Sequence, residues 1–236
     1  MARGLSTNTR FEAGSRALAI VNHDVSAVGR VIEGLKTGIR QGRYVSGQRL
    51  IEPDIVREFG VSRGSVREAL RCLEADGLVQ IEFYRGARIR KMSRAEFIEA
   101  NQIRGLLEGF AASLAAQSMD GTDRKRLLEL EQNWDRGTKG WTYAEYNERF
   151  HALILDASRH KRLPVYVEQV QLLFFDLQFH RIQRSPQAIK RSRMEHRRVV
   201  KAILKGDANG AERAMRQHVQ NSGTAILAAP EEFFAP

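Results

Sequence analysis

Cys72 is the single cysteine among 236 residues. No internal disulfide can form, and a reducing, cytoplasmic setting is expected. No apolar run comes near the roughly 18 residues a membrane helix needs. The longest, such as Leu172 to Phe175, is bounded by Gln171 and Asp176. The opening stretch MARGLSTNTRFEAGS lacks the apolar core of a secretion signal. There is no low-complexity block and no repeat at the spacing of solenoids. Walker, GxSxG, HExxH and dinucleotide-binding strings are all missing. These absences exclude a membrane protein, a disulfide-stapled module and a collagen-like chain, and they point away from an enzyme.

What is present is positive charge on a globular composition. Lys and Arg number 38 against 28 Asp and Glu, a net of +10, with 42% hydrophobic and 28% charged residues. Residues 1–92 hold 16 bases and 10 acids, and the rest holds 22 and 18, so the shorter part is denser in positive charge. An anionic partner is favoured, though charge alone does not choose one. A boundary falls near Ser93, where SRAE reads as a capping box. The expected division is a flexible arm over 1–23, a first domain over 24–92, a helical domain over 93–228, and a tail over 229–236.

Val28, Ile32, Leu35 and Ile39 recur at helical spacing and predict a first helix ending near Gly42. A second runs from about Pro53 to Phe59 and is stopped by Gly60. A third starts after Ser62, an N-cap, with Val66, Ala69, Leu70 and Leu73 as its buried stripe. Two strands, about 78–83 and 87–91, join at Tyr84-Arg85-Gly86 as a hairpin. This order is a winged helix-turn-helix. The open face of the third helix carries Arg63, Gly64, Ser65, Arg67 and Arg71, and the wing adds Arg85, Gly86 and Arg88. Helix N-terminal N–H groups favour phosphate, and arginine can bond guanine bidentately. A solvated basic face on a structural hairpin is the alternative.

The stretch from Gly34 to Ile89, with its core VSRGSVREALRCLEADGLV and the wing RGARI, resembles the DNA-binding domain of the GntR family of bacterial transcription regulators. The resemblance implies that Ser62, Arg63, Ser65 and Arg67 touch DNA, with Gly86 at the wing tip. Many members place an arginine early in the second helix, where this chain has Pro53.

Beyond Ser93 six helices are expected, over 93–118, 122–136, 142–158, 163–183, 186–205 and 208–227, packed as an antiparallel bundle. The fold class is therefore mainly α: an N-terminal winged helix-turn-helix, then an all-α six-helix bundle. Asn147 and His151 are one turn apart and share a face. His196 sits on a stripe with Val199, Val200 and Ile203, and His218 on one with Ala211, Ala214 and Met215. Three inward histidines can converge on a transition metal, with an amide oxygen completing the set. A lone inward histidine is more often a hydrogen-bonded core residue. His23, His160 and His180 read as surface residues.

The strings IRGLLEGFAASLAAQ, NERFHALILDAS and EHRRVVKAILKGDANGAERAMRQH resemble the FCD ligand-binding domain of the FadR subfamily, and six helices place it near the VanR-like branch. The resemblance implies a divalent ion, Zn or Ni, on Asn147, His151, His196 and His218. Asn147 stands where Asp is common. The family has an inward arginine at the position of Arg104. Its anion is either Glu108, one turn on, or a small organic acid effector. The resulting expectation is a homodimeric, effector-responsive regulator, with repression the default, on a palindromic double-stranded operator. Two alternatives are a helical domain that only dimerises, with a structural metal or none, and a metal-dependent hydrolase, for which no convincing base can be named.

Overall fold

The computed structural model describes residues 26–136, 140–173 and 185–236. The expected arm over 1–23 and the candidate surface residues His23 and His180 lie outside them.

The N-terminal unit opens with α1 (Ala27–Arg40), capped by the Ser26 hydroxyl, which accepts from the Gly29 N–H at 3.0 Å. Val31, Leu35 and Ile39 recur every four residues and are buried. A two-residue strand, β1 (Arg49–Leu50), leads into α2 (Glu52–Phe59), which begins one residue before the expected Pro53. Gly60 ends α2 at φ 62°, a left-handed conformation that glycine adopts freely. Only Gly60, Val61 and Ser62 separate α2 from α3 (Arg63–Ala75). Strands β2 (Val79–Glu82) and β3 (Gly86–Ile89) form the hairpin, and the sheet order is β1-β3-β2, all antiparallel. Both hairpin strands are shorter than expected. β1 was not expected, because two residues are too few to show alternation. Val66, Leu70 and Leu73 of α3 meet Leu35, Leu50, Val79 and Ile89 in one core. Burying each such side chain contributes about 1.5–3 kcal/mol.

The second unit contains α4 (Arg94–Ser118), α5 (Gly121–Arg136), α6 (Tyr143–Ala157), α7 (Leu163–Leu172), α8 (Pro186–Leu204) and α9 (Ala208–Leu227). Four starts are fixed locally. Ser93 with Glu96 and Thr142 with Glu145 make complete capping boxes. Ser185 caps α8 ahead of Pro186, and Asp207 caps α9 by accepting from the Gly210 N–H at 2.8 Å. The helix expected over 163–183 is described as far as Leu172; residues 174–184 lie outside the description. Helix α4 lies against α9, where Gly223 faces Asn101 with no room for a Cβ. Alanines 111, 112, 115 and 116 bring α4 close to Phe150, Ile154 and Val199.

The segment expected as a tail folds back. Phe234 is buried beneath the Arg94 guanidinium, 4.4 Å from its ring centre, and the Ala235 N–H donates to Met92 O at 2.9 Å. Helix α7 crosses between the units. Its Leu172 is buried in the N-terminal core, and its Glu168 pairs with Arg40 of α1.

Candidate metal centre and DNA-reading face

His151 on α6, His196 on α8 and His218 on α9 are all buried and meet at one point. The phase of each helix brings this about. The capping box at Thr142 starts α6 so that Tyr146, Phe150 and Ile154 face inward, with Asn147 and His151 on the flank of that face. On α8 His196 continues the buried line of Ser192, Val199 and Ile203; on α9 His218 continues that of Ala211, Met215 and Ser222. The Nε2 atoms of His196 and His218 are 3.0 Å apart, and those of His218 and His151 are 3.4 Å apart. The Phe150 ring stacks on the His196 imidazole at 3.9 Å and 14°.

The other nitrogen of each imidazole is already engaged. His151 Nδ1 lies directly against Glu108 Oε2, and neither atom has another hydrogen-bond partner. His218 Nδ1 is 3.0 Å from Glu195 Oε2. His196 Nδ1 is 3.2 Å from the Tyr146 hydroxyl, which itself donates to Glu131. Each of these partners can accept from Nδ1, and a neutral imidazole in that tautomer presents its Nε2 lone pair. Three lone pairs pointed at one another repel unless a cation lies among them. Nitrogens bound about 2.0–2.1 Å from one ion stand about 3.0–3.4 Å apart, which matches the observed separations. A donor set of three imidazoles suits a divalent transition ion, and the Nδ1 partners are the outer hydrogen bonds such sites use.

The carboxylates are held ionised by their neighbours. Burial alone would raise the Glu108 carboxyl, but Arg104 and His151 outweigh it and hold it well below the usual carboxylate range. Burial likewise opposes ionisation of Glu195, and hydrogen bonds from His218 and Asn221 reverse that, lowering its pKa. Burial pushes His218 down to about 4, with Glu195 offsetting only part of the effect. Burial, then Glu131, raises the Tyr146 phenol far above its ordinary value, so it stays a neutral hydroxyl.

Arg104 is buried on α4, and its Nε donates to Glu108 Oε1 at 2.5 Å. Of the two anions considered for it, the structure supplies Glu108. Gln171 on α7 donates to the same Oε1 at 3.1 Å. Asn147 is buried one turn before His151, and its Oδ1 accepts from the Tyr143 hydroxyl at 3.1 Å. His160 is exposed beside Phe110. Trp134 and Trp141 pack against the bundle core. Sequence reasoning missed Glu195, Tyr146, Glu131 and Arg193. Arg193 spans the Glu131 carboxylate at 3.0 Å and Asp135 at 2.8 Å and lies over the Tyr146 ring. An arginine three residues before His196 on the same bundle helix was the available signal.

On the N-terminal unit the expected contact residues lie on an open face. Ser62 caps α3, its Oγ accepting from the Ser65 N–H at 3.1 Å. Arg63, Gly64, Arg67 and Arg71 are exposed, and Ser65 is half-buried. Arg63 has no ion-pair partner among the described residues. Arg67 Nε bonds Glu52 at 3.0 Å, and Arg71 lies 3.7 Å from Glu68, both in water where such pairs contribute little. Arg85 and Gly86 are exposed at the wing, and Arg88 bonds Glu82 at 3.1 Å. Pro53 occupies the first turn of α2, so Glu52 rather than an arginine faces α3 there.

The family model described as "Bacterial regulatory proteins, gntR family" matches residues 27–89, and the FCD domain model matches residues 99–221. YdhC of Bacillus subtilis (strain 168), an HTH-type transcriptional regulator, is 31% identical over 193 residues, covering 78% of this chain and 84% of its own. The HTH-type transcriptional repressor RspR of Escherichia coli (strain K12) is 27% identical over 199 residues, 79% of this chain and 82% of its own. Among solved structures, E. coli McbR/YncC shares the fold with a TM-score of 0.70 at 22% identity, covering 86% of this chain and 97% of that one. These relatives are regulators, not enzymes. With a helix-turn-helix and wing at one end and a helical FCD domain at the other, the chain belongs to the GntR family of bacterial DNA-binding transcription regulators.

Proposed function

We propose that this regulator is an effector-responsive repressor that binds a palindromic operator as a homodimer, with a small carboxylate bound at a metal site in the helical domain. The observation that carries this reading is the meeting of three buried histidines through their Nε2 atoms. His151, His196 and His218 would hold a divalent ion such as Zn or Ni, with Asn147 one turn before His151 offering an amide oxygen. A bound ion would supply open positions for carboxylate or hydroxyl oxygens. An amide in place of a carboxylate removes one negative charge, which favours an anionic ligand. Arg104 adds a fixed positive charge close by, and its pairing with Glu108 makes its role toward an effector indirect: it keeps Glu108 ionised against His151.

Ser62, Arg63, Gly64, Ser65, Arg67, Arg71, Arg85 and Gly86 are the proposed DNA contacts. Two-fold symmetry of the protein would match two half-sites. A second copy is supported by a half-exposed apolar stripe on α4, Ile103, Leu106 and Phe110, beside Val165 and Tyr166 of the adjacent α7. The same helix supports a route for the signal. Gln171 touches Glu108, and its neighbour Leu172 sits in the winged-helix core. An effector that prefers one placement of α7 would shift the winged helices by that difference in affinity. Repression follows the role of the relative RspR, a transcriptional repressor.

The test is elemental analysis of the full chain beside His151→Ala. Near-stoichiometric metal, lost in the variant, followed by a carboxylic acid that raises the melting temperature only with metal present, is the expected result. A folded protein that takes up neither Zn nor Ni would overturn the metal reading and favour a helical domain that only dimerises.

A further inference from the structure

Phe83 and Tyr84 occupy the tip of the β2–β3 turn and are 83% and 94% exposed, the highest values among the large hydrophobic residues described. Their rings meet at 4.1 Å and 61°, edge to face, so they form one compact apolar body. Tyr84 has φ 61°, a conformation disfavoured for a side chain and natural for glycine. Among the described residues its ring meets only Phe83. The fold gains little from either ring, so a partner is the physical reason for them.

The surroundings select nucleic acid. Arg85 follows the pair and its side chain is 79% exposed; Arg88 lies on the next strand. The wing is also tied to the recognition helix: the Ile81 N–H of β2, two residues before Phe83, donates to Glu74 of α3 at 2.9 Å. A basic edge carrying an apolar point suits a duplex groove, where phosphates meet the bases and sugars lie between them.

We propose that Phe83 and Tyr84 act as an apolar wedge that enters the operator minor groove beside each half-site and opens one deformable pyrimidine–purine step, bending the DNA. Aromatic and aliphatic wedges partly unstack such steps, and the cost depends on sequence, so the wing would select bases without hydrogen-bonding them. Arg85 would hold the adjoining phosphate. The inference rests on the family's DNA binding and is independent of the metal reading.

The experiment uses the full chain and a duplex that it selects from a random pool, with 2-aminopurine placed in turn at the flanking steps and dyes at the two ends. Phe83→Ala with Tyr84→Gly is compared with Arg85→Ala; glycine suits the backbone at 84, and equal melting temperatures check folding. The wild type should brighten 2-aminopurine at one flanking step per half-site and bring the ends closer. The double variant should lose both signals and bind about tenfold or more weakly, with an unchanged salt slope. Arg85→Ala should keep the signals and lower that slope by about one. Equal affinity for the double variant, or no 2-aminopurine response in the wild type, overturns the wedge. A change in self-association of the double variant without DNA would assign the rings to a protein contact and overturn it as well.

Discussion

The two ends of this protein hold their functional groups in opposite ways. On the winged helix the arginines stand in water, with side chains of Arg67 and Arg71 65% and 72% exposed, and their acidic partners can be exchanged for phosphate at small cost. In the bundle the histidines are at most 4% exposed, and each Nδ1 is committed to a buried partner. An exposed site tolerates loss of one group, because water replaces it. A buried site does not, because removing one polar group strands the next. The same protein should therefore answer mutation very differently at its two ends.

The sharpest test of that contrast is Glu108→Ala. It leaves Arg104 and His151 facing an uncharged void, and a loss of about 3–5 kcal/mol in chemical denaturation is expected. A loss under 1 kcal/mol would show that the bundle site is as forgiving as the DNA face. Next in size is a pH effect on chelator-treated protein. His218 is near 4 when folded, against 6.5 for a free imidazole, so the unfolded chain binds more protons between those values. Stability should be at its plateau above about pH 6.5 and fall as the pH drops toward 4, by about 3 kcal/mol in total. Denaturation midpoints across that range should flatten in a folded His218→Asn variant. Tyr146→Phe removes the acceptor at His196 Nδ1 and should weaken metal binding about 10–100-fold, measured by competition with a chelator. Arg63→Ala is the counterpart at the open end. It should cost about 1–3 kcal/mol in operator affinity while leaving the melting temperature and metal content unchanged. The smallest change is Ser62→Ala, which removes a cap on α3 and should lower stability by about 1 kcal/mol.

The same contrast decides what could be read from the chain beforehand. Helix starts were legible because capping is local: Ser62 and Ser93 with Glu96 cap the helices expected of them, and Thr142, Ser185 and Asp207 cap helices that start within one residue of the expected positions. The three histidines were legible because helical spacing placed each on an inward stripe, and inward stripes of one bundle meet. Arg104 with Glu108 was legible as a pair four residues apart. The third member of that group, His151, was not, since its contact with Glu108 depends on how α4 packs on α6. Glu195 shows the limit well. It adjoins His196 in sequence yet serves His218 on α9, because consecutive side chains of a helix point about 100° apart. The two-residue strand β1 and the return of Phe234 under Arg94 are likewise set by tertiary contacts alone.

Leu172 lies beyond Ser93 in sequence, on α7, yet it helps fill the core of the winged helix. The two halves are therefore not interchangeable cassettes. A chimera joined at residue 92 would bring a winged helix whose socket was shaped by another protein's side chain. Either a hole or a clash would result, at about 1–3 kcal/mol in the unit that reads DNA. Exchange of operator specificity between such regulators should then succeed only when α7 travels with the wing, or when its buried leucine finds a socket of the same size.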